Sequence, residues 1–264
     1  MTMRRSVTTL LAAIAALALC GGAALAGTLV GTDSGETLTG TPEPDQIYGE
    51  GGDDVLEGLG GNDYLEAGGG TDTVRGGDGA DLVIAGTGDD SVDAGAANDV
   101  VYAGAGDDTV LGGAGRDTLF GQAGTDRLFG GAAADTLYAS AGDDVADGGS
   151  GADRLISEAG DTTLIGGRGN DLITAAGGNV TVKGGPGRDR IRTGEGDDNV
   201  SGGGRADGIA TGAGDDTVDV RDGDRDRVNC GPGDDAVNAD ANDILRNCES
   251  AFDEGGSTLP RRRR

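Results

Sequence analysis

Aspartate recurs at every ninth position over most of this chain. From position 45 to position 216, 18 of the 20 positions in this register are aspartates, which we call the slot aspartates. Carboxylate oxygens in a chain without histidine favour a hard cation with flexible coordination, which means calcium ahead of magnesium or a transition metal. The slot aspartates are Asp45, Asp54, Asp63, Asp72, Asp81, Asp90, Asp99, Asp108, Asp117, Asp126, Asp135, Asp144, Asp153, Asp171, Asp189, Asp198, Asp207 and Asp216.

Two positions of the register depart from aspartate. Thr162 and Val180 occupy consecutive turns of one series, so we expect metal binding to be impaired there, with Asp161 as a partial substitute for the first. For a single aspartate in a glycine-rich turn, the alternative role is that of a turn former or a solvated charge. The recurrence of 18 aspartates in one register favours the metal.

Aliphatic residues define the elements that must position these carboxylates. Two residues after each slot, 21 positions run from Leu38 to Val218, and 20 of them hold Val, Leu or Ile, with Ala146 as the exception. One aliphatic residue between two outward-facing neighbours is the pattern of a three-residue strand. Glycines fill most of the remaining positions and permit tight turns.

Units such as Gly166 to Thr174 fit the pattern GGxGxDx(aliphatic)x. Over roughly residues 32–219 the chain therefore resembles the RTX, or haemolysin-type, calcium-binding nonapeptide repeat family. The resemblance implies an all-β fold, a right-handed parallel β-roll in which six residues form a turn and three form a strand. It also implies that all 18 slot aspartates are calcium ligands, and that these carboxylates and turn carbonyls from successive turns share several calcium ions.

The residue just before each slot shows that one coil contains 18 residues. In alternate units, which precede Asp54 to Asp216 and which we call the first column, it is acidic in seven of ten cases. In the units between, which precede Asp63 to Asp207 and form the second column with Asp45, it is acidic in none of nine. We therefore predict a solenoid with two sheets, two turn edges and about 18 residues per coil.

The charge of the chain indicates that folding requires a cation. Acidic residues number 47 against 20 basic ones, for a net charge of −27, which disfavours nucleic acid and anionic membranes as partners. Carboxylates stacked at one strand spacing repel by about 1 kcal/mol per pair in water and by about 3 to 4 at an effective dielectric near 20. We therefore expect folding and metal binding to be one event.

The amino-terminal segment, residues 1–26, has the composition of a secretory signal peptide. Arg4 and Arg5 precede an apolar run that ends near Cys20, and Ala24-Leu25-Ala26 resembles a cleavage site. The run is too short to predict a membrane span, and lipidation at Cys20 is an alternative. We expect a secreted protein, extracellular or associated with the cell surface, with calcium available there.

The carboxyl-terminal part of the chain loses the strict register. We predict a calcium-binding roll over residues 27–219, an irregular cap over 220–250 and a disordered basic tail over 251–264. Cys230 and Cys248 are expected to form a disulfide in the cap, with two buried thiols as the alternative. The run from Asp222 to Asp226 imitates an EF-hand loop but lacks its later ligands, which predicts an irregular turn.

One outward row predicts an apolar ladder on one sheet, formed by Ile84, Tyr102, Phe120, Tyr138 and Ile156. One interpretation is stacking between coils that stabilises a glycine-rich sheet. The other is a contact surface for a polysaccharide, a cell-surface polymer or a second copy of the chain.

The chemistry of the chain argues against an enzyme. Without histidine, neither an HExxH metalloprotease nor a Ser-His-Asp triad is available, and no GxSxG elbow is present. Paired carboxylates leave glycoside hydrolysis as the remaining catalytic alternative. The sequence thus predicts a secreted calcium-binding repeat protein with a structural or adhesive extracellular role, or alternatively a non-catalytic carbohydrate- or cell-surface-binding module.

Overall fold

A computed structural model describes residues 27–252 of the chain. These residues form 26 strands, and there is no helix among them. Successive strands alternate between two parallel sheets of 13 strands each, so the described chain winds as a β-solenoid. The predicted signal peptide and residues 253–264 of the predicted tail lie outside the described residues.

Sheet A contains the odd-numbered strands. They are β1 Thr28–Val30, β3 Gln46–Tyr48, β5 Tyr64–Gly69, β7 Leu82–Thr87, β9 Val100–Ala105, β11 Thr118–Ala123, β13 Thr136–Ala141, β15 Arg154–Ala159, β17 Leu172–Ala175, β19 Arg190–Arg192, β21 Gly208–Ala210, β23 Arg227–Asn229 and β25 Ile244–Arg246.

Sheet B contains the even-numbered strands. They are β2 Thr37–Thr39, β4 Val55–Gly60, β6 Thr73–Asp78, β8 Ser91–Ala96, β10 Thr109–Ala114, β12 Arg127–Ala132, β14 Val145–Ser150, β16 Thr163–Ile165, β18 Thr181–Pro186, β20 Asn199–Gly204, β22 Thr217–Asp219, β24 Ala236–Asn238 and β26 Ser250–Phe252.

The pairing register confirms the 18-residue coil. Leu119 of β11 pairs with Val101 of β9 on one side and with Leu137 of β13 on the other. The same step separates partners in sheet B, where Val110 pairs with Leu128. The parallel roll that the family resemblance implies, with the two sheets that the alternating units predict, is therefore the fold of the described residues.

Strands in the middle of the roll are longer than three residues. Each strand from β4 to β15 spans six residues. The added length arises because glycines of the turn also pair between coils, as Gly77 and Gly113 do with Gly95. In this middle part of the roll, the turn that precedes each slot is consequently part of the sheet edge and is held in fixed register with its neighbours.

The core lies between the two sheets and consists of the inward aliphatic residues. Leu119, Leu128 and Leu137 have no solvent-exposed surface, and Ala146 keeps the same inward position despite its small size. The inward residues of both sheets form one continuous apolar cluster. Burial of these side chains drives coil stacking, and the stacking fixes the height of each turn.

Glycine is required where successive turns approach each other closely. Gly86 has a φ of 119°, and a Cβ there would overlap the carbonyl oxygen of Gly68 in the preceding coil. A side chain at this position would be strained by the backbone conformation and would collide with the neighbouring turn. The glycines thus allow backbone carbonyls of one turn to face the next.

Beyond Val218 the register shifts but the sheets continue. Gly208 pairs with Arg227, nineteen residues away, which shows that one residue is inserted in this coil. Strands β23 to β26 extend both sheets through residues 227–252, and Cys230 is joined to Cys248 by a disulfide. In the part of the chain that the structure covers, no helix has the length and apolar character needed to cross a membrane.

Candidate metal centres in the turns

All the slot aspartates lie at the end of a turn, immediately before a strand, and all are buried. Their exposed fractions do not exceed 3%, and Asp117 and Asp126 have none. The first column leads into sheet B and the second column into sheet A. Burial of so many carboxylates is unusual, because a charge removed from water needs a partner.

One oxygen of each carboxylate has a partner in the backbone. The amide of Asp99 donates to Oδ1 of Asp117 at 2.9 Å, and the amide of Asp117 donates to Oδ1 of Asp135 at 2.8 Å. The same bond joins slot to slot, one coil apart, along the second column and, outside the stretch from Asp144 to Val180, along the first. We call these two rows of hydrogen bonds the amide–carboxylate ladders.

The other oxygen has no hydrogen-bond partner among residues 27–252 for nearly every slot. At Asp45 the amide and hydroxyl of Thr41 donate to Oδ2, at 2.6 and 2.9 Å. The unpartnered oxygens are Oδ2 of Asp54, Asp63, Asp72, Asp81, Asp90, Asp99, Asp108, Asp117, Asp126, Asp135, Asp144, Asp153, Asp171, Asp189, Asp198, Asp207, Asp216 and Asp235. A buried carboxylate oxygen without a donor is strongly unfavourable unless a cation or a proton is present.

Backbone carbonyl oxygens lie close to the unpartnered Oδ2 atoms. A Cβ built on Gly148 would lie 2.7 Å from both Oδ2 of Asp153 and the carbonyl oxygen of Gly166, which is in the next coil. The corresponding atom on Gly166 would lie 2.6 Å from Oδ2 of Asp171 and from the carbonyl oxygen of Gly184. Each such glycine leaves space beside a carboxylate and a carbonyl of successive coils.

The donor set fits calcium through mixed side-chain and backbone oxygens. Within residues 27–252, no group of three or more acidic, histidine or cysteine side chains converges on one point. A cation in these turns would therefore depend on backbone carbonyls for much of its coordination. Hard oxygen ligands of this mixed kind are those that calcium takes in proteins.

The pKa values of the slot carboxylates also indicate that their ionised form lacks sufficient favourable partners. Burial raises the pKa of Asp99, Asp153 and Asp207 in the second column to about 7, and neighbouring carboxylates add to the rise. In the first column, burial raises the pKa of Asp108 to about 7 and that of Asp90 to about 6. The donated amide opposes this rise only in part, so ionised slots require a cation.

Thr162 and Val180, the two register positions without aspartate, have different surroundings from the slot aspartates. Thr162 is fully buried, and its Oγ1 contacts Oγ of Ser157 at 3.0 Å and donates to the carbonyl oxygen of Gly142 at 3.1 Å. Val180 is buried in the apolar core. Asp161 is exposed, and its Oδ1 accepts the amide of Asn179 at 2.9 Å.

Residues just before the slots form an outer row of hydrogen bonds. Oδ1 of exposed Asp89 accepts the amide of Asp107 at 2.9 Å, and Oδ1 of Asn98 in the second column accepts the amide of Arg116 at 2.8 Å. Asparagine therefore satisfies the turn as aspartate does. The acidic residues of the first column add charge that this hydrogen bond does not require.

Three further aspartates continue the slots beyond the predicted series. The amide of Asp207 donates to Oδ1 of Asp226, that of Asp216 to Oδ1 of Asp235, and that of Asp226 to Oδ1 of Asp243. Asp226 and Asp235 are buried like the other slots. The available signal was an aliphatic residue two positions after each aspartate, which survives the change of spacing.

The predicted apolar ladder lies on the outer face of sheet A. The ring centroids of Tyr102 and Phe120 are 4.7 Å apart and those of Phe120 and Tyr138 are 4.6 Å apart, with planes inclined by 5° in both pairs. Ile84 pairs with Tyr102 and Ile156 with Tyr138. All five side chains are half-buried, so the stack presents one apolar surface to solvent.

Comparison with protein families identifies the repeat. The family described as RTX calcium-binding nonapeptide repeat (4 copies) matches residues 30–65, 48–83, 66–101, 84–119, 102–137, 120–155, 129–164, 156–191, 181–209 and 192–226. A search of the curated proteins finds no match to this chain.

Proposed function

The chain belongs to the RTX calcium-binding nonapeptide repeat family, and on that premise we propose that it is a secreted protein whose roll folds around several calcium ions. The family makes it a calcium-binding repeat protein. Our proposal adds the ligands, the dependence of folding on calcium and an extracellular structural or adhesive role. The row of buried, unpartnered Oδ2 atoms carries it.

In this proposal each ion lies between successive coils of one column. The slot aspartates supply carboxylate oxygens, and turn carbonyls such as that of Gly166 supply the remainder. Calcium provides positive charge and accepts oxygen ligands in flexible number. The chain's own residues hold the oxygens in register, exclude water by burying the slots and space the carboxylates through the amide–carboxylate ladders.

Several features support an extracellular location. The leader has the composition of a secretory signal, although it lies outside the described residues. The disulfide between Cys230 and Cys248 suits an oxidising compartment. We further propose that residues 220–250 act as a cap, because the bridge ties the last coils together at the end of an otherwise open pair of sheets.

We propose no catalytic role. The chain has no histidine, and its slot carboxylates recur in equivalent environments rather than in one distinct pair. A glycosidase needs two carboxylates with different protonation states facing one substrate. Repeated, buried and hydrogen-bonded carboxylates are better suited to holding ions.

Calcium titration followed by circular dichroism tests the proposal. In excess chelator we expect a largely unfolded spectrum, and millimolar calcium, but not magnesium, should restore the β signal. The variant with Asp99→Asn, Asp117→Asn and Asp135→Asn keeps an acceptor for each ladder amide and removes the charge. It should require more calcium to fold. An unchanged β spectrum in chelator would contradict the proposal.

A second candidate function is adhesion through the apolar ladder. Parallel rings at 4.6 to 4.7 Å form a flat surface on which an apolar face of a sugar or a second roll could stack. The triple variant Tyr102→Ser, Phe120→Ser and Tyr138→Ser should abolish binding to a polysaccharide or self-association while retaining calcium-dependent folding. Phe129→Ser on sheet B is the matched control. If the triple variant binds as the parent does, adhesion through the apolar ladder is excluded.

A further inference from the structure

Four arginines lie close together on the outer face of sheet A. Arg190 and Arg192 lie on β19, Arg227 on β23 and Arg246 on β25, and all four side chains are exposed. None of the four forms a salt bridge with any residue of the described range. A cluster of guanidinium groups without ion-pair partners is available to bind an external anion.

A groove runs between these arginines. Strand β21 presents only Gly208 and Ala210 outwards, between Arg190 and Arg192 on one side and Arg227 on the other. The missing side chains leave a groove of about 280 Å³. Its walls are two strands apart, so their backbones are separated by about 10 Å.

A second groove of about 470 Å³ meets the first at Arg190, Gly208 and Arg227 and extends to Arg188 in the second-column turns. The exposed residues just before the slots of the second column are never acidic in units 63 to 207, whereas those of the first column mostly are. Up to unit 207 the grooves therefore open toward the less acidic edge, and exposed Asp222 and Asp224 lie in the following turn of that edge. Charge segregation of this kind permits an anion to approach an otherwise acidic protein.

We propose that this arginine groove binds the charged groups of an anionic polysaccharide. Guanidinium forks pair with carboxylate or sulfate oxygens, and the amide of Asn229 can bond sugar hydroxyls. The floor, formed by Gly208 and Ala210, is flat and weakly polar, which suits the face of a sugar ring. This inference rests on the proposed extracellular role and names the class of ligand.

The shape of the groove favours a slender polymer over a second copy of the chain. The acidic edge of another roll is a continuous row of turns, and it could touch the arginines but could not enter a space one coil wide. Tyr138 and Arg192 lie in the same outward row, three coils apart, at about 14 Å. An extended chain along sheet A could therefore contact both the aromatic stack and the groove.

Binding to three matched polymers tests the inference. Immobilised carboxymethyl-dextran, dextran sulfate and uncharged dextran are exposed to the full chain in calcium. We expect binding to one or both charged polymers, which identifies the anionic group, and not to dextran. The double variant Arg192→Gln and Arg227→Gln should bind at least about tenfold more weakly, because two charge-assisted contacts are lost.

The control variant is Arg127→Gln with Lys183→Gln, which removes the same charge from sheet B. It should retain binding, and circular dichroism in calcium should show both variants folded. An equal loss of polymer binding in the two variants would mean that overall charge controls binding. It would overturn the proposed site in the groove. Absence of binding to either charged polymer would also overturn it, as would arginine-dependent self-association. A protein folded in chelator would instead contradict the calcium proposal alone.

Discussion

The two columns of turns share the same slot but differ in continuity. In the second column, the amide–carboxylate ladder runs unbroken from Asp45 to Asp243. In the first column it stops at Asp144 and resumes at Val180, because Thr162 and Val180 offer no carboxylate. The backbone pairing of sheet B continues through this stretch.

This difference shows that the slot does not need aspartate in order to pack. Val180 is as buried as the slot aspartates, and the coil around it keeps the same register. An apolar side chain would therefore satisfy the fold at far lower cost in desolvation than a carboxylate with an unpartnered oxygen. The 18 slot aspartates are best explained by the ion that such oxygens attract.

The largest expected effect comes from interrupting the second column with apolar residues, as Val180 interrupts the first. The variant Asp117→Val with Asp135→Val should lose calcium from the neighbouring turns and become less stable in calcium. Each lost site removes about 2.7 kcal/mol when free calcium is 100-fold above its dissociation constant. Denaturant unfolding at fixed free calcium measures the loss.

The same variant in chelator provides the control. Two buried carboxylates are gone and valine packs in their place, so the metal-free variant should be no less stable than the metal-free parent. An equal loss of stability with and without calcium would show that the slots act through packing alone. The β circular dichroism signal, measured in chelator and in calcium, separates these outcomes, because the metal-free chain is expected to be largely unfolded.

Much of this architecture could be predicted from single residues and their spacing. The slot aspartates and the aliphatic register from Leu38 to Val218 specify an 18-residue coil with two parallel sheets, and the fold confirms it. Asp226 and Asp235 were not predicted as slot aspartates, because one residue inserted after Val218 shifts them out of the nine-residue register. The strands nevertheless continue to pair through backbone hydrogen bonds after the insertion, so Asp226 and Asp235 occupy slot positions in the structure.

Other features depend on neighbours in different coils and had no signature in any one repeat. The sequence did not distinguish Oδ1 of a slot, which accepts an amide, from Oδ2, which has no partner. Nor did it reveal the groove at Gly208, because that space exists only between Arg190 and Arg227, which lie in the coils on either side of Gly208. Both features require the stacking distance that the folded core sets.

A smaller effect is expected from repairing the interrupted column. The variant Thr162→Asp with Val180→Asp should bind additional calcium and gain stability in its presence. Burial raises the pKa of Asp198 and Asp216, and the hydroxyls of Thr193 and Thr211 beside those carboxyls oppose the rise. Ser157 occupies the equivalent place beside position 162, so it is compatible with an aspartate there. Equilibrium dialysis gives the number of ions bound.

The matched control for the repair is Thr162→Asn with Val180→Asn. Asparagine restores an acceptor for the ladder amide but carries no charge, so it should leave the number of bound ions unchanged. If the aspartate variant binds no more calcium than the asparagine variant, continuity of the ladder, rather than charge, distinguishes the two columns.

The last prediction concerns the pH dependence of the metal-free chain. Burial raises the pKa of Asp99 and Asp153 from about 4 when unfolded to about 7 when folded, so the folded form binds more protons. The metal-free roll should therefore be most stable at low pH and lose stability as pH rises from about 4 to 7. Calcium should reverse the trend, because protons compete with the ion for the same oxygens.

Circular dichroism in chelator between pH 4 and 8 measures this dependence. The variant Asp117→Val with Asp135→Val removes two slots that titrate in the folded state, since burial raises their pKa as well, to about 6 for Asp135. Its pH dependence should therefore be shallower than that of the parent. A metal-free parent whose β signal instead increased toward pH 8 would mean that the slots are ionised and satisfied without calcium. The unbroken column would then need no ion to hold its carboxylates together.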